Sequence, residues 1–284
     1  MGETVMRMHG PGGGPLLGSP RHALRRWISM HPTVYLPMAR LKNEHSVLEA
    51  RTELVLDGTS RSANTFAAIA FQLAQNDHVR LAHHMHAAAA LVAAARRGVP
   101  TLITVREPEP TILSSLIREP RVTPRQWLKT YVAFYERILP FRSAFVIATF
   151  TEVTSDFGAV TRRVNERFAT RFRAFDHTEE NVRAVFALID ERAEGPPWQP
   201  SLNRFVSGLL SADEYRALTR PHRDGSEGRR RPVPELRVQR PSAQREAAKA
   251  LMRERYLDPG LADLRTAAEH AYRSFVGTVG SSAG

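Results

Sequence analysis

Apolar positions in this chain fall into short unbroken runs separated by longer Ala-rich or amphipathic stretches. Leu54-Val55-Leu56 is a run of the kind a buried parallel strand shows, and Thr65 to Ala74 then follows an apolar pattern that predicts a buried helix. Asn76-Asp77 signals a turn, His78 to His84 a second short strand, and Met85 to Arg97 an Ala-rich helix closed by Gly98 and Pro100. Thr101 to Val105 is a third strand. Trp127 to Leu139 has helical aromatic spacing, Phe145 to Phe150 is a fourth strand, and Ser155 or Asp156 is set to cap a helix ending near Phe168. Glu179 to Ala193 is a further helix. Strands alternating with helices at this spacing predict an α/β fold, a three-layer sandwich with a central parallel sheet.

The flanks are less periodic. Met1 to about Pro20 is Gly/Pro-rich and is expected to be flexible, leaving 21–284 as one domain. Arg21 to Arg40 predicts a helix through Ala23, Leu24, Trp27 and Ile28, then an extended piece through Val34, Tyr35 and Leu36. Arg21, Arg25 and Arg26 lie near one face of that helix, where a solvated surface is the expectation ahead of a membrane-surface role. Gly195 to Pro200 is a Pro-rich turn. Pro221 to Pro241 is polar, proline-punctuated and basic around Arg229-Arg230-Arg231. Ser242 to Phe275 returns to a helical pattern split at Pro259-Gly260, and Gly277 to Gly284 is a frayed tail.

At 284 residues the chain is long enough for one large α/β domain. It has no cysteine, so disulfides and thiolate metal sites are excluded. No run is long enough to span a bilayer and no signal segment is evident, so a cytoplasmic setting is expected. The net charge of +11 invites a nucleic-acid partner. Only Lys42, Lys129 and Lys249 among the 40 basic residues are lysine, an Arg and Ala bias that a GC-rich coding sequence produces by itself. No nucleic-acid partner is expected; part of the charge is solvated surface and part serves anionic ligands.

The candidate chemistry begins at the first strand. Gly58 to Asn64 is a loop of small and polar residues between strand and helix, an arrangement whose backbone N–H groups and helix dipole converge on one anion. A nucleotide-binding P-loop reads G-x-x-x-x-G-K-[ST], and Gly58 is followed at the matching offsets by Ala63, Asn64 and Thr65. The lysine is missing. Its charge is taken up by Arg61, and the hydroxyls of Ser62 and Thr65 remain as donors.

Arg61-Ser62-Ala63-Asn64-Thr65-Phe66 resembles the phosphosulfate loop of the PAPS-dependent sulfotransferases, which follows the first strand with a basic residue, Ser, Gly, a small or polar residue, Thr and an aromatic. Ala63 departs from the family's glycine, at a place where positive φ is needed. The family binds the nucleotide 3′-phosphate with a strand-end arginine and a serine eight positions later; Arg106 and Ser114 stand at that separation, with the family's proline at Pro108. A guanidinium fork suits bidentate phosphate contact, and a proline-opened helix brings a hydroxyl to the same anion.

The resemblance covers roughly residues 50 to 170. It implies transfer of a sulfuryl group from PAPS as co-substrate, without metal, to a hydroxyl or amine of a small-molecule, glycan or lipid acceptor. It also implies a P-loop-like site of Arg61, Ser62, Ala63, Asn64, Thr65, Phe66, Arg106 and Ser114, with Arg61 neutralising charge on the leaving phosphate. His83, His84 and His86 lie between the two anion loops, where cytosolic members keep a catalytic histidine. On strand alternation His83 packs inward and His84 projects at the strand end, so His84 is the first candidate for the base and His86 the second. A His84-x-His86 metal site, or metal ligation by Glu152 and Asp156, ranks below these roles. The late basic segment is similar in position to a family loop that covers the nucleotide, but lacks its Arg-Lys-Gly triplet. A P-loop kinase or a nucleic-acid-binding protein remains the alternative.

Overall fold

The computed structural model describes residues 20–42, 45–194, 200–225 and 243–277. Helices α1 (Pro20–Met30) and α2 (Pro32–Lys42) precede β1 (Leu54–Gly58), α3 (Asn64–Ala74), β2 (Leu81–His83), α4 (Ala88–Arg97), β3 (Thr101–Val105) and α5 (Pro108–Arg118). Then come α6 (Pro124–Ile138), β4 (Val146–Thr149), α7 (Phe150–Ser155), α8 (Phe157–Phe168), α9 (Glu179–Glu194), α10 (Pro200–Val206), α11 (Ala212–Gly225), α12 (Ala243–Tyr256) and α13 (Ala262–Val276). The four strands form one parallel sheet in the order β2-β1-β3-β4.

Alternation along the strands divides the core into two layers. Leu54, Leu56, Leu81, Leu102, Val146 and Ala148 pack with α3, α8, α9 and α10 on one face. Val55, Ala82, Ile103 and Val105 pack with α2, α4, α5, α6 and α13 on the other. Every residue of β1 and of β3 is buried, which is why Leu54-Val55-Leu56 and Leu102-Ile103 are consecutive apolar positions instead of alternating with solvent-facing ones. At roughly 1.5–3 kcal/mol for each large side chain taken from water, these two faces supply the main drive for the fold.

The predicted α/β sandwich is therefore the observed class, and the differences are local. The segment through Val34, Tyr35 and Leu36, predicted extended, is helical: Pro32 opens α2 and Pro37 lies within it. Pro32 occupies the first turn, where a proline has no intrahelical donor to lose, and tertiary packing of Leu36 and Ala39 overrides the strand preference of Val34 and Tyr35. The second strand is three residues long, not seven, because His83 ends the pairing with β1. Residues 84–87 then form a turn with φ of 54° at His84 and 46° at His86, so α4 begins at Ala88 rather than at Met85.

Asp156 does cap α8, accepting from the N–H of Ala159. An unpredicted capping box of Thr149 and Glu152 starts the short α7 before it, so both acidic residues are capping groups. A three-residue turn of 3₁₀-helix, Pro259–Leu261, separates α12 from α13 where the Pro-Gly break was expected. Of the predicted basic loop, 221–225 completes α11 and the remainder lies outside the described residues, as do 1–19 of the flexible segment, most of the Gly195 to Pro200 turn and the tail beyond 277. No helix among the described residues is long and apolar enough to cross a membrane.

Candidate functional site

The sheet order reverses direction at β1: the chain leaves β1 for β2 on one side and, after α4, returns to β3 on the other. The crevice beyond the C-terminal ends of β1 and β3 is the topological switch point, the place where open α/β sheets bind ligands. The loop after Gly58 and the segment after Val105 both open there.

Gly58 is required by proximity. A Cβ on it would fall inside the carbonyl oxygen of Thr104 on the neighbouring strand. The loop that follows is held from within: the Ser62 hydroxyl donates to the carbonyl of Thr59 at 2.7 Å, the Asn64 amide donates to the same oxygen at 2.9 Å, and Thr104 donates to Asn64 Oδ1 at 2.7 Å. Ser62 and Asn64, expected to face a ligand, are buried loop fasteners instead. Phe66 likewise faces the core, 5.7 Å from the ring of Phe186 and 6.4 Å from that of Phe175. Arg61 and Ala63 both adopt left-handed backbone, with φ of 74° and 69°. The sequence departs from glycine at 63 while the backbone keeps the glycine-like conformation. Ala63 is also the N-cap of α3 and makes no side-chain cap, so the first-turn N–H groups of that helix are not served by a capping side chain.

Arg61 and the second anion segment meet. The Arg61 Nε donates to Ser114 Oγ at 2.8 Å, Arg245 from α12 donates to the same oxygen at 3.3 Å, and Arg106 Nη1 donates to the Arg61 carbonyl at 3.2 Å. Arg106 also lies over the Phe150 ring, 3.9 Å from its centroid, and its carbonyl accepts from Tyr131 Oη at 2.6 Å. Burial, reinforced by Arg245, Arg118 and Arg106, lowers the pKa of Arg61 to about 10. Burial lowers Arg106 and Arg245 as well. Clustered guanidiniums that depress one another form a positive well suited to an anion.

The histidine turn borders the same loop. His83 is buried, with Nε2 3.1 Å from Ser207 Oγ and Nδ1 2.6 Å from His84 Nδ1. His84 Nε2 lies 2.9 Å from Thr65 Oγ1, which links the turn to α3. His86 is held differently: its Nδ1 is 3.0 Å from the Gly58 carbonyl and 3.3 Å from Asp57 Oδ1, and its backbone N–H donates to Asp57 Oδ2 at 2.9 Å. The Gly58 carbonyl and the Asp57 carboxylate are both acceptors. A neutral His86 therefore carries its proton on Nδ1 and keeps Nε2 as the ring's acceptor atom. Asp57 is fully buried, and its other partner is the N–H of Gly58.

A cavity of about 420 Å³ adjoins this turn. His84, His86, Thr59 and Ser60 line it from the sheet side, while Tyr131 and Phe134 contribute aromatic surface from α6. Its size is that of a small-molecule site. No group of three or more His, Asp or Glu among the described residues is arranged to hold a metal ion.

Sequence reasoning missed Arg245, 131 positions from Ser114, and the Asp57 support of His86. The first carried no local signal; the second was visible only as a polar residue in an otherwise apolar strand. Compared with known families, with curated proteins and with solved structures, the chain matches none.

Proposed function

We propose that the protein is a PAPS-dependent sulfotransferase, moving a sulfuryl group from PAPS to a hydroxyl or amine of a small-molecule acceptor. The observation that carries this reading is the convergence of Arg61 and Arg245 on the Ser114 hydroxyl, with Arg106 bonded to the Arg61 carbonyl beside them. Four groups from three separate parts of the chain form a cationic cluster at the switch point, and a phosphorylated nucleotide neutralises it. The arginine fork and serine hydroxyl suit a 3′-phosphate, and the left-handed loop with the uncapped start of α3 suits the 5′-phosphosulfate. The loop lacks the lysine that a nucleoside triphosphate site uses, which sets the reading apart from a kinase.

In this scheme the acceptor oxygen attacks sulfur, its proton passes to a histidine, the bond from sulfur to the bridging oxygen breaks, and adenosine 3′,5′-bisphosphate leaves with the electron pair. Geometry favours His86 over His84 as the base. His86 lines the cavity with its ring oriented by the Gly58 carbonyl and the Asp57 carboxylate, the arrangement of an imidazole base held by an acid. The test is to incubate the protein with PAPS and a panel of phenols, alcohols and amines and to follow bisphosphate release and sulfated product by mass spectrometry. Acceptor-dependent release is expected. No release from PAPS, combined with hydrolysis or transfer from ATP with magnesium, would overturn the proposal.

A further inference from the structure

The α1 and α2 pair lines the cavity beside the histidine turn with Arg25, Arg26 and Met38, and it carries further exposed apolar surface as well. Among the described residues eight large hydrophobic side chains are exposed, and four of them lie between positions 24 and 41. Leu24 and Trp27 stand one turn apart on α1, 57% and 52% exposed; Met38 and Leu41 stand one turn apart on α2, 45% and 90% exposed. Scattered exposed leucines are ordinary, but half of the total on two short adjoining helices is a concentration.

Charge follows the same segment. Residues 20–42 contain Arg21, Arg25, Arg26, Arg40 and Lys42 and no Asp or Glu, in a chain that elsewhere mixes both signs. Helix α1 is a polar helix overall whose Leu24 and Trp27 are nonetheless directed outward. A partner must therefore offer apolar volume and negative charge together, without needing carboxylates from this chain in return. An anionic bilayer does so in one layer, with acyl chains for Leu24, Trp27, Met38 and Leu41 and headgroup charge for the arginines. Trp27 adds an amphipathic ring of the kind that settles at a membrane interface. Each helix is 11 residues, about half of a bilayer span, so the pair lies on the surface and does not cross it.

We propose that the α1 and α2 pair seats this protein peripherally on anionic lipid surfaces. The inference is independent of sulfuryl transfer and holds or fails without it. The experiment is co-sedimentation of the full chain with vesicles of phosphatidylcholine alone and of phosphatidylcholine with about 30 mol% phosphatidylserine. The informative variant is L24S/W27S/M38S/L41S, because it leaves the charge of +11 unchanged and so separates insertion from general electrostatic adsorption. Circular dichroism and the oligomeric state of both proteins are measured alongside.

The parent is expected to partition onto the anionic vesicles and not onto the neutral ones, with Trp fluorescence shifting to the blue. The folded variant is expected to partition at least about tenfold more weakly, from the apolar area it no longer buries. Equal partitioning of parent and variant would overturn the proposal. So would a parent that ignores vesicles and self-associates through these helices. If the quadruple variant does not fold, the single Leu41→Ser and Trp27→Ser replacements, at exposed positions, carry the same comparison.

Discussion

Arg61 is cationic in a place that disfavours cations: it is held in left-handed backbone, largely removed from water, and faced by Arg245, Arg118 and Arg106. Its pKa of about 10 lies below the usual value, so the penalty is present at neutral pH and is relieved as pH rises through 10. Arg61→Met is therefore expected to leave the ligand-free melting temperature unchanged or raise it by up to about 3 °C, while removing most of the stabilisation that added bisphosphate gives the parent. Thermal scans with and without nucleotide check this; a variant that melts lower without ligand yet keeps the ligand shift would contradict it. At the histidine turn, His86→Ala is expected to lower turnover by roughly two to four orders of magnitude with nucleotide affinity retained, and His84→Ala to cost less. The reverse ranking, measured as kcat alongside bisphosphate Kd, would return the base to His84. The residues that meet at the candidate site were legible in the sequence where they lie close along the chain: Arg61, Arg106 and Ser114. The site was not legible where a hydroxyl turns inward, as at Ser62, or where a long-range partner such as Arg245 arrives through packing.

The strand and loop around Gly58 form the element on which the site depends. Ala63 occupies a backbone region in which a side chain costs about 1–2 kcal/mol, so Ala63→Gly should stabilise the fold by about 0.5–1 kcal/mol after the entropy of glycine is subtracted, read from chemical denaturation. Gly58→Ala acts in the other direction. Its Cβ would meet the backbone of Thr104 on the adjoining strand, which cannot move without breaking the pairing of β1 with β3, so a loss of about 3 kcal/mol or more is expected. Soluble, folded protein with unchanged stability would contradict the close approach. The strands that are buried on both faces, β1 and β3, could be read from apolar runs alone. The extent of β2 could not, because its end is set by the left-handed turn at His84 and not by composition, and α2 could not, because Leu36 and Ala39 gain more from packing in the core than Val34 and Tyr35 gain from extension.

At the scale of the molecule, a parallel sheet between two helical layers brings three distant stretches of chain to one crevice, and it does so with a positive charge of +11 that alone favours any polyanion. The central claim is narrower: the crevice prefers a nucleotide with a 3′-phosphate, through Arg106 and Ser114. Calorimetric titration of the parent and of Arg106→Ala with adenosine 3′,5′-bisphosphate, with ATP and magnesium, and with an oligonucleotide separates that claim from general attraction. The account predicts that the parent binds the bisphosphate without metal and more tightly than either competitor, and that Arg106→Ala loses about 1.5–3 kcal/mol of that binding, roughly 10- to 150-fold in Kd. Equal affinity for the bisphosphate in parent and variant, or tighter binding of ATP with magnesium, would contradict it.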